Sequence, residues 1–124
     1  MRRLILLLAL AGCAPAAPTA GSGDAFAREL AGRVAGPVKT CIPSNSSANL
    51  RVIDSRTLAY ESGRTLWVNR LDSSCPGIAP LSTLIVDAGV GEYCRGDRVR
   101  GLQPGEIIPG PPCALQNWTR YRRP

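Results

Sequence analysis

The chain of 124 residues lacks histidine altogether and contains a single lysine and a single phenylalanine. Without histidine, Ser-His-Asp and Cys-His catalytic sites are excluded, and only carboxylates and cysteines are left as metal ligands. The cysteines form no Cys-x-x-Cys pair, so neither a zinc ribbon nor a thioredoxin-like redox site is indicated. The lone lysine, Lys39, lies outside any serine motif that would form a Ser-Lys dyad. The sequence therefore predicts no metal, no cofactor and no nucleophilic catalysis.

The first thirteen residues have the composition of an export signal. Two arginines, Arg2 and Arg3, precede an apolar run over residues 4–11 that is too short to cross a bilayer as a helix. Residues 10–13, Leu-Ala-Gly-Cys, then resemble the bacterial lipobox, in which the signal is cut before the cysteine and the thiol carries a diacylglycerol. We expect a lipoprotein signal peptide over residues 1–12 and lipidation of Cys13.

The segment after the signal differs in composition from the rest of the chain. Residues 13–23 predict a flexible tether rich in alanine, proline and glycine, and residues 24–124 a single domain. The tether is about 30 Å long when fully extended. Because Ala14 stands where an aspartate would resemble an inner-membrane retention signal, we expect the outer membrane, with the domain facing the periplasm. Cleavage after Ala16 would instead give a soluble periplasmic protein.

Four cysteines follow the predicted lipid site, and an even number in an exported chain predicts two disulfides. If the strands run as a simple meander, Cys41 and Cys94 lie at one end of the sheet and Cys75 and Cys113 at the other. This favours the pairs Cys41–Cys94 and Cys75–Cys113. A crossover between the third and fourth strands would favour Cys75 with Cys94 instead, and the sequence alone permits three connectivities.

A short amphipathic pattern opens the domain. Asp24 is a candidate N-cap, and Phe26, Leu30 and Val34 recur at helical spacing before the stop signal Gly36-Pro37. This predicts a helix of about three turns.

Alternating apolar and polar residues then predict strands. The expected strands cover residues 50–53, 57–61, 64–71, 81–87, 97–102 and 114–121. A tight turn at Ser62-Gly63 places Leu58 opposite Trp67, and residues 87–92 resemble a hairpin turn. The expected fold is mainly β: a small antiparallel sheet or partly open barrel of about six strands, with one short N-terminal helix and two disulfides.

A set of short motifs across residues 41–121 resembles a known family. The motifs are Cys41-Ile42, Val52-Ile53-Asp54-x-Arg56-Thr57, Asn69-x-Leu71, Cys75-Pro76-Gly77-Ile78, Tyr93-Cys94-x-x-Asp97-x-Val99 and Cys113-x-Leu115. In order and spacing they resemble a family of small exported proteobacterial proteins catalogued as a domain of unknown function. The resemblance implies one domain that follows a signal peptide, is held together by disulfides and has no assigned activity.

The net charge of the whole chain is +6. Arg120, Arg122 and Arg123 form a basic tail, which would contact anionic lipid headgroups or polysaccharide at about 1 kcal/mol per charge near a membrane, or would be a solvated terminus. No aromatic platform accompanies these charges, so nucleic acid is not an expected partner.

Four carboxylates, Asp54, Asp87, Glu92 and Asp97, are the candidates for a glycosidase pair. Each lies at a predicted turn, where capping of the backbone explains an acidic residue. We therefore expect a non-enzymatic binding or structural module of the bacterial cell envelope, attached to the membrane through the lipid on Cys13 and contacting an unknown envelope protein or polysaccharide. The alternatives are an envelope hydrolase that uses a carboxylate pair, and an accessory or inhibitor subunit of an envelope enzyme.

Overall fold

The computed structural model describes residue 12 and residues 22–45 and 49–124. The predicted signal peptide apart from Gly12, the predicted lipid site Cys13 and most of the tether lie outside these residues. Within them, the chain forms one helix, α1 (Ser22–Leu30), and ten strands: β1 (Val34–Lys39), β2 (Cys41–Pro43), β3 (Leu50–Asp54), β4 (Thr57–Ser62), β5 (Thr65–Arg70), β6 (Thr83–Asp87), β7 (Glu92–Cys94), β8 (Arg98–Leu102), β9 (Cys113–Ala114) and β10 (Trp118–Arg122). None of the described residues belongs to a helix with the length and apolar character needed to cross a membrane.

The strands form three antiparallel sheets. Five strands make the central sheet in the order β1-β10-β5-β4-β3, β2 pairs with β7, and β8 lies between β6 and β9. The predicted mainly β fold with one short helix is confirmed, and the central sheet stays open instead of closing into a barrel. Beyond the expected strands, the structure adds β1, β2 and β7 and divides the expected last strand into β9 and β10.

Both faces of the central sheet are covered. One face packs against the smaller sheets, and the buried side chains there include Leu50, Leu58, Tyr60, Trp67 and Trp118 from the central sheet and Ile42, Tyr93 and Val99 from the smaller ones. The other face presents Ile53, Ala59, Leu66 and Val68 to the helix residues Phe26 and Leu30. Because both faces are covered, β5 is buried at five consecutive residues, as strands packed on two sides are.

The helix is shorter than the periodic pattern predicts. It ends at Leu30, and Val34, expected on its apolar stripe, begins β1 and is 61% exposed. The prediction that Val34 belongs to the helix is therefore wrong. Gly32 has a φ of 72°, a conformation that other residues rarely adopt, so the helix stops there and the chain turns into β1. Pro37 is tolerated because β1 is an edge strand.

The β4–β5 hairpin differs in register from the prediction. Ser62 pairs with Thr65, so the loop is Gly63-Arg64, and Tyr60 lies opposite Trp67. The predicted pairing of Leu58 with Trp67 is wrong by two residues. A shift of two residues keeps every side chain on its face, so Leu58 and Trp67 still belong to the same core. Gly63 has a φ of 58°, which suits the first loop position of a type II′ turn.

The disulfides join Cys41 with Cys94 and Cys75 with Cys113, which confirms the pairing that the sequence favours. The meander behind that prediction is wrong, because β10 lies between β1 and β5, and β2 pairs with β7. Cys41 and Cys94 meet because they lie directly opposite each other in that pair of strands. Residues 87–92 do not make a hairpin turn, since β6 pairs with β8 and the segment links two different sheets.

Candidate functional site

The predicted lipidation site, Cys13, lies outside the described residues, and the anchor stays a prediction. The other predicted site residues, the four cysteines of the disulfides, are structural. Cys75 is 2% exposed, whereas Cys41 and Cys94 are half-buried.

Two of the four candidate carboxylates accept hydrogen bonds from backbone N–H groups at turns. Asp54 accepts a hydrogen bond from the backbone N–H of Arg56 at 2.8 Å, and Asp97 accepts one from the N–H of Cys94 at 2.7 Å. These are the contacts by which aspartate stabilises a turn. The stabilisation of these turns therefore explains the presence of both side chains.

The other two candidate carboxylates lie at the surface. Asp87 forms an ion pair with Arg100 at 3.4 Å, and Glu92 lies 3.9 Å from the Cys94 sulfur. Among the described residues, Glu92, Cys41 and Cys94 are the one group of three potential metal ligands that lie close together. Both sulfurs are joined in the disulfide and do not offer thiolates, so this group is not a metal site.

A basic cleft lies at one end of the central sheet. It has a volume of about 350 Å³ and is lined by Arg33, Gly63, Arg64, Arg123 and Pro124. We call it the arginine cleft. Arg64 and Arg123 are exposed, whereas the Arg33 side chain is only 10% exposed.

Strand order brings these distant arginines together. Val34 of β1 pairs with Arg122 of β10, and Arg122 pairs with Thr65 of β5. The start of β1, the end of β10 and the start of β5 therefore lie side by side. The residues next to these positions in the chain are the three arginines of the cleft, one before β1, one in the β4–β5 turn and one after β10.

The hydrogen bonding of Arg33 is incomplete. Its guanidinium forms an ion pair with Glu61, with 3.6 Å between Nη2 and Oε1, and its Nε is buried without a hydrogen-bond partner. The Nε atoms of Arg100 and Arg120, which lie outside the cleft, are buried without a partner as well, so this state does not distinguish Arg33. Arg51 shows the contrast, because both of its terminal nitrogens bind the Glu29 carboxylate, at 2.5 and 2.8 Å.

The three arginines of the predicted basic tail make different contacts in the structure. Of its three arginines, only Arg123 lines the cleft. Arg122 donates from Nε to the Thr65 hydroxyl at 3.0 Å, and the Arg120 side chain packs against Gly36, where an added Cβ would lie 2.8 Å from its Nε. Arg33 and Arg64 are not predicted from the sequence, because no local pattern distinguishes them. Only the position of β10 between β1 and β5 brings them close to Arg123.

The arginine side chains that line the cleft offer hydrogen-bond donors. A guanidinium offers five N–H donors in a planar fork and stays protonated throughout the physiological pH range. Such groups bind carboxylate, phosphate and sulfate oxygens, but they do not exchange protons as a general acid or base does. The arrangement is therefore suited to holding an anion.

In comparisons with known proteins, the chain matches no family model, no curated protein and no solved structure. The resemblance to the exported proteobacterial family stays a prediction.

Proposed function

We propose that this chain is a lipid-anchored cell-envelope protein whose β domain is a non-enzymatic module that binds anionic partners in the arginine cleft. The observation that carries the proposal is the convergence of Arg33, Arg64 and Arg123 around one cleft. Anionic headgroups and polysaccharides are the partners that such a surface suits in a cell envelope.

Several features support a binding role over hydrolysis. The residues that line the cleft bring no carboxylate side chain. Glu61, which borders it, is engaged with Arg33. Asp54 and Asp97 are held by turn contacts. A glycosidase needs two free carboxyl groups on either side of its substrate, so the hydrolase alternative gains no support from these contacts.

The two disulfides suggest an oxidising, exported environment. The lipobox and the tether add the anchor to the proposal. A lipidated Cys13 would hold the domain at the membrane, because each buried methylene of the acyl chains contributes about 0.8 kcal/mol.

Fractionation of cells that express the full chain tests the anchor. We expect the protein in the membrane fraction with a mass increase from diacylglycerol. Cys13→Ser should abolish that increase, whereas globomycin, which inhibits the signal peptidase that cuts after lipidation, should leave residues 1–12 attached. The double variant Cys41→Ser/Cys94→Ser is the control for loss of a cysteine pair, and it should keep the lipid. Cleavage after Ala16 that is insensitive to globomycin would contradict the anchor and indicate a soluble periplasmic protein.

Retention on immobilised dextran sulfate, a polyanion, tests the binding module. The full chain with Cys13→Ser, kept in an uncharged detergent, should elute at lower salt when Arg64→Gln and Arg123→Gln are combined. The control pair Arg95→Gln/Arg98→Gln removes the same charge from exposed arginines outside the cleft and should elute close to the parent. Equal shifts for the two pairs would mean that the net charge alone drives retention, and the proposal would be wrong.

A further inference from the structure

We infer that the arginine cleft is a phosphate site, which binds the phosphate group of a phosphate ester. This inference rests on the proposed binding function and names the chemical class of its ligand. Its basis is the number of arginines that line the cleft, their charge, and the packing that fixes the position of Arg33.

The donors of the cleft exceed what one carboxylate can use. A carboxylate is satisfied by a single guanidinium fork, as Glu29 is by Arg51. The cleft instead is lined by three arginines. A phosphate group presents three strong acceptor oxygens in different directions, which is the arrangement that several converging forks can serve.

The charge of the cleft also fits a phosphate. The three arginines carry three positive charges and Glu61 one negative charge, which leaves two positive charges on the side chains. A phosphate monoester carries about −1.5 to −2 at pH 7. The α-carboxylate of Pro124, where it is free, would remove one of the positive charges, and the side chains and this carboxylate would still leave one positive charge.

Arg33 supplies the fixed part of the site. Its side chain is nine-tenths buried, so its position is set by packing, and its Nε remains without an acceptor. At 3.6 Å, Glu61 is too far for a good hydrogen bond. Because the Arg33 Nε has almost no accessible surface, an oxyanion in the cleft would contact the terminal nitrogens of Arg33, and the exposed Arg64 and Arg123 would bind it from the rim. The volume of about 350 Å³ leaves room for the group to which the phosphate is esterified.

Calorimetric titration with inorganic phosphate at constant ionic strength tests the site. The protein is the full chain with Cys13→Ser in an uncharged detergent, and circular dichroism confirms the fold of each variant. We expect saturable binding that weakens about tenfold or more in Arg64→Gln and in Arg123→Gln, because each removes charge-assisted hydrogen bonds. The matched control Arg98→Gln removes an exposed arginine from β8 and should bind within twofold of the parent.

A second arm identifies the source of the phosphate. Vesicles of phosphatidylcholine with phosphatidic acid carry a terminal phosphate, whereas phosphatidylcholine alone does not. Binding to the first vesicles that depends on Arg64 and Arg123, without binding of inorganic phosphate, supports the site with a lipid headgroup as source. Binding of inorganic phosphate that displaces the vesicles supports it with free phosphate esters as sufficient ligands.

Two outcomes would overturn the inference. One is the absence of saturable binding in both arms, and the other is a loss in Arg98→Gln equal to the losses in the cleft variants. Retention on dextran sulfate would in either case still report on the binding module. A failure of the phosphate assignment is thus distinguishable from a failure of the proposed function.

Discussion

At the scale of single residues, the buried side chain of Asn69 joins strand β5 to the backbone that precedes β10. Asn69 is fully buried in β5, and its side-chain amide makes two hydrogen bonds with the backbone of Gln116: Nδ2 donates to the carbonyl at 2.7 Å, and Oδ1 accepts from the N–H at 2.9 Å. This pair fixes the bend that precedes β10, the strand that carries the chain end towards the arginine cleft.

Replacing Asn69 with alanine should therefore lower the free energy of unfolding by about 2 to 3 kcal/mol, because two backbone groups of Gln116 lose their partners. The matched control is Asn117→Ala, since the side-chain oxygen Oδ1 of Asn117 is buried without a hydrogen bond. We expect that change to cost less than about 1 kcal/mol. Urea denaturation of both variants measures the difference, and equal losses would contradict the role given to Asn69.

At the scale of elements, helix α1 is attached to the central sheet by packing and by the ion pair of Glu29 with Arg51. Phe26 and Leu30 lie on the sheet face, Arg70 lies over the Phe26 ring at 4.3 Å, and Glu29 binds Arg51 of β3. The hydrogen bond from Arg51 lowers the pKa of Glu29, although partial burial opposes the shift. The position of the helix matters for the cleft, because the segment that follows it carries Arg33.

The ion pair predicts a pH dependence. The pKa of Glu29 is lower in the folded protein than the usual value of about 4.3 in the unfolded chain. The stabilisation is thus fully present above that pH and is lost as the pH falls through the lowered pKa. We expect Glu29→Gln to cost about 1 kcal/mol at pH 7, a modest value because Arg51 is 40% exposed and screened by solvent.

Unfolding measured at pH 7 and at pH 3 checks this expectation, and the difference between the parent and Glu29→Gln should shrink at the lower pH. Glu106→Gln, an exposed glutamate in the loop before β9, is the control and should change little at either pH. A difference that grows on acidification would show that Glu29 is not held in its charged form by Arg51.

Local patterns in the sequence predict the elements whose structure depends on near neighbours. The strands from β3 to β6 and β8 follow from alternating or buried apolar runs, and Phe26 and Leu30 mark the buried side of α1. The short β2 and β7 could not be predicted, because each exists only through pairing with the other, 53 residues away at the Cys41–Cys94 disulfide. Val34 illustrates the opposite error, in which helical spacing continues by chance into a strand.

At the scale of the whole molecule, long-range pairing produces both the stability and the candidate site. The two disulfides close separations of 53 and 38 residues, which corresponds to about 4 kcal/mol each in the chain-entropy model. The same topology, with β10 between β1 and β5, brings Arg33, Arg64 and Arg123 to one end of the sheet. The sequence shows these arginines as scattered charges, because their convergence depends on strand order and not on spacing.

The most direct test of the central claim, that the arginine cleft binds oxyanions, follows the Arg33 Nε–H by ¹⁵N nuclear magnetic resonance. Phosphate should shift this resonance saturably, because an anion bound to the terminal nitrogens changes the electron distribution of the whole Arg33 guanidinium, while the Nε–H of Arg98 should not move. A resonance of Arg33 that is unaffected by phosphate at saturation would contradict the claim.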